Sequence, residues 1–151
     1  MTGPTWLRLR KRLDATLPAA IWPQGIMPAA FESVDPRRLH ALLDEAFPGL
    51  VARFEDWHGN LTTDSEFDPA LCVVALAPDG SIAGFAQCWT IGFVKDLAVA
   101  QAHRGKGVGE ALMRHFFALF AARGLAQVDL KVATDEQAAR RLYARLGMIE
   151  V

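Results

Sequence analysis

The chain has 151 residues, a formal net charge of −1 and 52% apolar residues. That describes one domain with a full hydrophobic core, too short for two, and with no global field to favour nucleic acid or an anionic membrane surface. No apolar run reaches the roughly 18 residues of a membrane span, and no hydrophobic segment follows the basic cluster Arg8, Arg10, Lys11 and Arg12. No spacing of His, Cys, Asp or Glu suggests a metal site. The expectation is a cytoplasmic protein in which Cys72 and Cys88, each in an apolar strand-like run, are buried free thiols.

Residues 6–13, WLRLRKRL, set Leu7, Leu9 and Leu13 against Arg8, Arg10 and Arg12. This period of two predicts a half-buried edge strand with a basic outer face, a helix being the competing reading. Pro18, Pro23 and Pro28 keep the following backbone irregular, with a short strand expected within residues 25–31. Asp35 and Pro36 mark a helix start, carried on by Leu39, Leu42, Leu43 and Ala46. After Pro48 and Gly49, the residues Leu50, Val51, Phe54 and Trp57 predict a second amphipathic helix, with His58 beside them. Asp79-Gly80 between the β-rich runs 71–77 and 81–91 predicts a tight hairpin, and 92–100 is the next strand. The glycine-rich turn RGKGVG (104–109) leads into a helix whose face is Leu112, Met113, Phe116, Phe117 and Phe120 and whose stop is Gly124. A strand at 126–133 returns parallel to 92–100. Thr134 and Gln137 form a capping-box pattern before a last helix, closed by Gly147. The outcome is a mixed α/β sheet with one parallel crossover, in a single domain comprising an extension (1–24) and a core region (25–151).

Strand, glycine-rich turn and helix together build an anion site. Glycines let the main chain approach a ligand closely, and the helix aims free N–H groups and its positive dipole end into the turn. A Walker loop is excluded, because Glu110-Ala111 follows Gly109 where Lys-Ser/Thr is required. A dinucleotide fingerprint fails as well, since its third glycine would fall on Glu110 or Leu112.

The stretch VKDLAVAQAHRGKGVGEAL, with Arg104, Gly107 and Gly109 in a Q/R-x-x-G-x-G/A core, resembles the acyl-CoA signature of the GNAT acyltransferase superfamily. DEQAARRLYARLGM (135–148) resembles that family's closing helix through Ala139, Tyr143 and Leu146-Gly147-Met148. The resemblance implies a GNAT-like sheet flanked by helices and an acetyl-CoA-dependent N-acetyltransferase working by direct transfer in a ternary complex. The acceptor it implies is a small-molecule or peptide amine, and the protein would be a monomer or homodimer. A non-catalytic acyl-CoA-binding sensor or partner module is the alternative. It also implies that Arg104, Gly105, Lys106, Gly107, Val108 and Gly109 hold the CoA pyrophosphate, with Ala139 beside the cofactor. The main chain of Leu97, Ala98 and Val99 would pair with pantetheine, and Tyr143 would protonate the CoA sulfur.

In many relatives the general base projects from the central strand ahead of the loop. Here Phe93 and Lys95 occupy the expected positions and Asp96 follows them, on the opposite face unless a bulge reverses it. Asp96 and His58 are the acceptor-side candidates, with Asp56, Asp64 and Glu66 nearby in sequence; deprotonation through ordered water is the other route. Trp57, Phe54, Phe67 and Trp89 are core or an apolar acceptor wall, and His103 and His115 are surface or packing residues. Two departures stand out. Glu136 replaces a frequent asparagine, and the chain ends four residues after Gly147, where the family adds two more strands. Residues 6–13 are expected to fold across and pair with 126–133 in their place, dimerisation through that edge being the alternative.

Overall fold

The computed structural model describes residues 5–14 and 16–151; residues 1–4 and 15 of the expected extension lie outside them. Strands β1 (Trp6–Arg12), β2 (Met27–Ala30), β3 (Cys72–Leu76), β4 (Ile82–Trp89), β5 (Phe93–Val99), β6 (Gln127–Ala133) and β7 (Ile149–Glu150) form one sheet in the order β2-β3-β4-β5-β6-β1-β7. Every neighbouring pair is antiparallel except β5 and β6, which are joined through helix α3 (Val108–Ala122) as the parallel crossover demands. Helices α1 (Pro36–Ala46) and α2 (Phe54–Thr63) cover one face, and α3 with α4 (Gln137–Arg145) the other.

The two faces follow from strand alternation. Val73 and Ala75 pack with Leu112, Phe116, Phe120 and Tyr143 on the α3/α4 side, while Cys72 and Val74 pack with Leu39, Leu43, Trp57 and Leu61 on the α1/α2 side. Local signals act as their chemistry predicts. Asp35 accepts the Arg37 N–H to cap α1. Asp79 accepts both the N–H and the hydroxyl of Ser81 to hold the β3–β4 turn. Cys72 and Cys88 are free and buried; burial pushes the Cys72 thiol up to about 12 and raises that of Cys88.

Strand β1 lies against β6 along its whole length, from Trp6 opposite Ala133 to Arg12 opposite Gln127. The expected pairing therefore forms, but β1 is not the sheet edge: β7 joins its outer side at Leu9 and Arg10. The arginines have a specific use. Asp129 is 4% exposed; it accepts from Arg8 Nε at 2.9 Å and from Arg10 Nε and Nη2 at 2.8 and 2.9 Å. The capping box before α4 does not form. Glu136 takes the N-cap position with no side-chain bond, and the Thr134 N–H is already donated to the Thr5 carbonyl.

Candidate active site

Strands β5 and β6 pair only at Phe93–Asp129 and Val94–Leu130. Beyond that point β6 stays with β1 and the two strands part, opening a cleft of about 350 Å3 through the sheet. A bulge in β5 shapes one wall. Gln87 faces Asp96 but Cys88 faces Val94, so Lys95 is the extra residue and side-chain parity reverses across it. Val94 belongs to the α3/α4 core and Ala98 to the α1/α2 core, although simple alternation would put them together. Asp96 thereby shares the α1/α2 face with Ala98 and lines the cleft.

The same bulge sorts the β5 backbone. Ala100 N–H bonds to the Ala83 carbonyl, so residues 96, 98 and 100 direct their polar groups to β4. Leu97 and Val99 turn theirs into the gap, while the Ala98 main chain is committed to Phe85. This narrows the three-residue expectation for backbone pairing to Leu97 and Val99. The Arg104 Nε donates to the Val99 carbonyl at 3.2 Å, tying the start of the loop to this edge.

Residues 104–107 form an exposed turn ending at Gly107, the N-cap of α3, which has φ +91° and no side-chain cap. The first N–H groups of the helix therefore have no side-chain acceptor and face the turn. A Cβ placed on Gly105 or Gly107 would meet nothing within 4 Å, so the open space beside these left-handed residues suits an anion. Gly109, by contrast, is buried against Leu142 and Val99, and Val108 is buried beneath the loop. These two position the helix; Lys106 stands exposed at the turn.

On the α4 side Ala139 and Tyr143 line the cleft. Tyr143 is 7% exposed, and burial, with a smaller contribution from Glu136, pushes its phenol up to about 12. It is thus a protonated donor throughout the neutral range. The cleft is also lined by Asp96, its carboxylate 2.9 Å from Lys95 Nζ, and by Lys131, Asp135 and Glu136.

Residues 36–148 match the family model described as Acetyltransferase (GNAT) family. The chain belongs to the GNAT acetyltransferase family. It is 36% identical over 110 residues to streptothricin acetyltransferase of Streptomyces lavendulae, covering 68% of this chain and 58% of that protein. Mycothiol acetyltransferase of Clavibacter michiganensis is 33% identical over 135 residues, 82% of this chain and 42% of the relative. The solved structure of a GCN5-related N-acetyltransferase from Sphaerobacter thermophilus superimposes with TM-score 0.84 at 30% identity, over 99% of this chain and 50% of that one. The chain thus spans about half the length of these relatives. The family implies an acyl-CoA co-substrate.

Within this GNAT domain the other acceptor-side candidates stand away from the cleft. His58 stacks on Phe54 and packs beside Trp57 in α2. Asp56 pairs with Arg53, Asp64 accepts from the Glu66 N–H, and Glu66 accepts from the Thr90 hydroxyl. Phe54, Trp57, Phe67 and Trp89 belong to the α1/α2 core. The apolar wall comes instead from Phe47, Leu50 and Val51 in the α1–α2 connector and from Trp6 at the start of β1. Trp6 has the parity of the β1 arginines, a sequence signal that places it on the sheet face of Asp129 and Lys131. His115 packs between Trp22 and Phe116, and burial lowers its pKa.

Proposed function

We propose that this protein is an acetyl-CoA-dependent N-acetyltransferase that acts on a primary amine by direct transfer in a ternary complex. The observation that carries the reading is one cleft lined both by Tyr143, from the α3/α4 side of the sheet, and by Asp96 and Leu97 of β5. The loop backbone from Arg104 to Gly109, backed by the α3 dipole, holds the pyrophosphate, with Lys106 free to add charge. Leu97 and Val99 hydrogen-bond pantetheine as an added strand, and one of their N–H groups polarises the thioester carbonyl. Asp96 accepts the proton of the incoming ammonium, either directly or through a water. The neutral amine attacks the carbonyl carbon and the C–S bond breaks; the Tyr143 hydroxyl donates to the departing thiolate, and the proton the nitrogen sheds as the amide forms restores that hydroxyl, leaving the amide and CoA–SH. The names of the streptothricin and mycothiol relatives support a small-molecule acceptor.

The test is CoA release from acetyl-CoA with a panel of amines, amino acids, aminoglycosides and peptides, with the acetylated product identified by mass. Acceptor-dependent release establishes the reading. The engagement of Asp96 by Lys95 favours the second reading, a non-catalytic acyl-CoA-binding module. Tight cofactor binding with no release for any acceptor would decide for that module.

A further inference from the structure

Trp6 and Leu50 are large apolar side chains, 53% and 70% exposed. Isolated exposed residues of this kind need no explanation. These two line a single cleft from different chain segments, and neither belongs to either core. Trp6 sits opposite Ala133 at the end of the β1–β6 ladder, and directly paired residues share a face, so its indole stands on the same side as Asp129 and Lys131. The neighbouring Thr5 carbonyl accepts the Thr134 N–H at 2.8 Å, which fixes the strand end that carries it. Leu50 lines the same cleft together with Phe47 and Val51. The cleft residues include three carboxylates (Asp96, Asp135, Glu136) and two ammonium groups (Lys95, Lys131), a mildly acidic lining suited to a protonated amine.

Building on the N-acetyltransferase reading, we propose that β1 forms one wall of the acceptor subsite and that Trp6 selects primary amines bearing an apolar, planar group. The amine points toward Asp96 and the thioester, and the apolar group lies between the Trp6 indole and the Leu50 side chain. Water released from both apolar surfaces drives binding, and a rigid indole offers this area at little conformational cost. Trp6 lies outside the matched family segment 36–148, so this selectivity is a property of the segment that precedes it.

The experiment titrates phenethylamine and ethanolamine by calorimetry into the CoA-saturated full chain. The proteins are wild type, Trp6→Ala, Trp6→Phe and Leu50→Ala, with melting temperature checked for each; kcat/KM for both amines with acetyl-CoA is measured in parallel. Phenethylamine should bind wild type more tightly than ethanolamine, and Trp6→Ala should weaken it roughly 10- to 30-fold. Trp6→Phe should restore affinity to within about threefold, and Leu50→Ala should cost roughly three- to tenfold. Ethanolamine and CoA binding should be unchanged. Equal affinity of the two amines for wild type, or an equal loss of both in Trp6→Ala, would overturn the proposal. Should Trp6→Ala unfold, Trp6→Phe and Leu50→Ala decide: selective loss of phenethylamine in Leu50→Ala sustains the subsite, and no selectivity refutes it. Trp6-dependent binding with no acetyl transfer to these amines or to any acceptor of the panel would refute the N-acetyltransferase reading and leave the subsite standing. Transfer insensitive to Trp6 would do the reverse.

Discussion

Replacing Tyr143 by Phe removes one hydroxyl from a side chain that is 7% exposed and lines the cleft. The same change reports on the phenol pushed up to about 12. Complete proton transfer from such a phenol to a thiolate of ordinary pKa, about 8.5, would be uphill by roughly 5 kcal/mol. The apolar walls that raise the phenol also raise a thiol leaving beside it, so the gap narrows, but it does not reverse. Tyr143 is therefore expected to act mainly by hydrogen-bonding the developing thiolate. A hydrogen bond to a charged group is worth about 1.5–3 kcal/mol, so Tyr143→Phe should lower kcat by roughly 10- to 150-fold. The acetyl-CoA KM should change little, because the bond strengthens only as charge develops on sulfur. The assay is CoA release at saturating acetyl-CoA and amine. An unchanged kcat would remove Tyr143 from the chemistry, and a loss confined to KM would make it a binding residue. The variant also tests the pKa. A folded value raised from 10 to about 12 gives a contribution that is complete below pH 10 and lost as pH climbs through 12. Unfolding free energy should fall by roughly 3 kcal/mol more in wild type than in Tyr143→Phe across that window. The buried cysteines, raised in the same direction, cancel in the comparison.

Gly107→Ala forces a side chain into a left-handed position at φ +91°; the strain of about 1–2 kcal/mol should distort the loop and raise the acetyl-CoA KM roughly tenfold, with kcat within about twofold. In Gly84→Ala the new Cβ would stand 2.9 Å from Val108 Cγ1, 3.1 Å from the Ala98 carbonyl oxygen and 3.2 Å from Leu112 Cδ1. Pushing α3 off the sheet there should cost roughly 2 kcal/mol, a fall in Tm of about 4–8 °C by calorimetry, and weaken acetyl-CoA binding because Val108 begins the helix behind the loop. Asp129→Asn leaves Arg8 and Arg10 without their carboxylate and should lower stability by roughly 2 kcal/mol at neutral pH in denaturant titrations. Its hydrogen bond from Arg10 holds the Asp129 carboxyl below 3.8. The wild-type advantage is therefore full above pH 3.8 and lost as pH falls through the lower folded value; an advantage that does not shrink as pH is lowered below 3.8 would refute the assignment.

Elements defined by local chemistry were legible in the sequence. The Asp35–Pro36 helix start, the Asp79–Gly80 turn, the glycine loop and the crossover through α3 each depend on residues within a few positions of one another. So was the pairing of residues 6–13 with 126–133, because alternation gave β1 a face and the strand at 126–133 required a partner. What escaped depends on pairs of segments. The bulge at Lys95 is a property of the β4–β5 register, and the β5 sequence alone does not reveal it. Strand β7 has two residues, too few for a period, so β1 read as an edge. The capping box failed because the Thr134 N–H serves the β1–β6 ladder, a tertiary demand that overrides a local motif. The cleft wall at Phe47, Leu50 and Val51 escaped because Leu50 and Val51 share a helical spacing with Phe54 and Trp57, whereas α2 begins only at Phe54 and leaves them in the connector.

The position of β1 explains why the sheet tolerates a cleft at all. Strands that part leave unpaired backbone groups, and β6 gives up β5 after two residue pairs. It remains a strand because β1 pairs with it at all seven positions, from Trp6 to Arg12. The point of divergence needs its own fastening, since the bulge beside it weakens alignment. Arg8 supplies that by reaching across three strands: its guanidinium bonds Asp129 on β6 and lies 5.5 Å from the Phe93 ring centre on β5, the residue directly opposite Asp129. Arg10 closes the other side of the same carboxylate with two bonds. An alternating basic strand that would serve elsewhere as edge protection acts here as the spine of the cleft. The strand that holds β6 away from β5 is also the one that carries Trp6 to the rim of the opening it maintains.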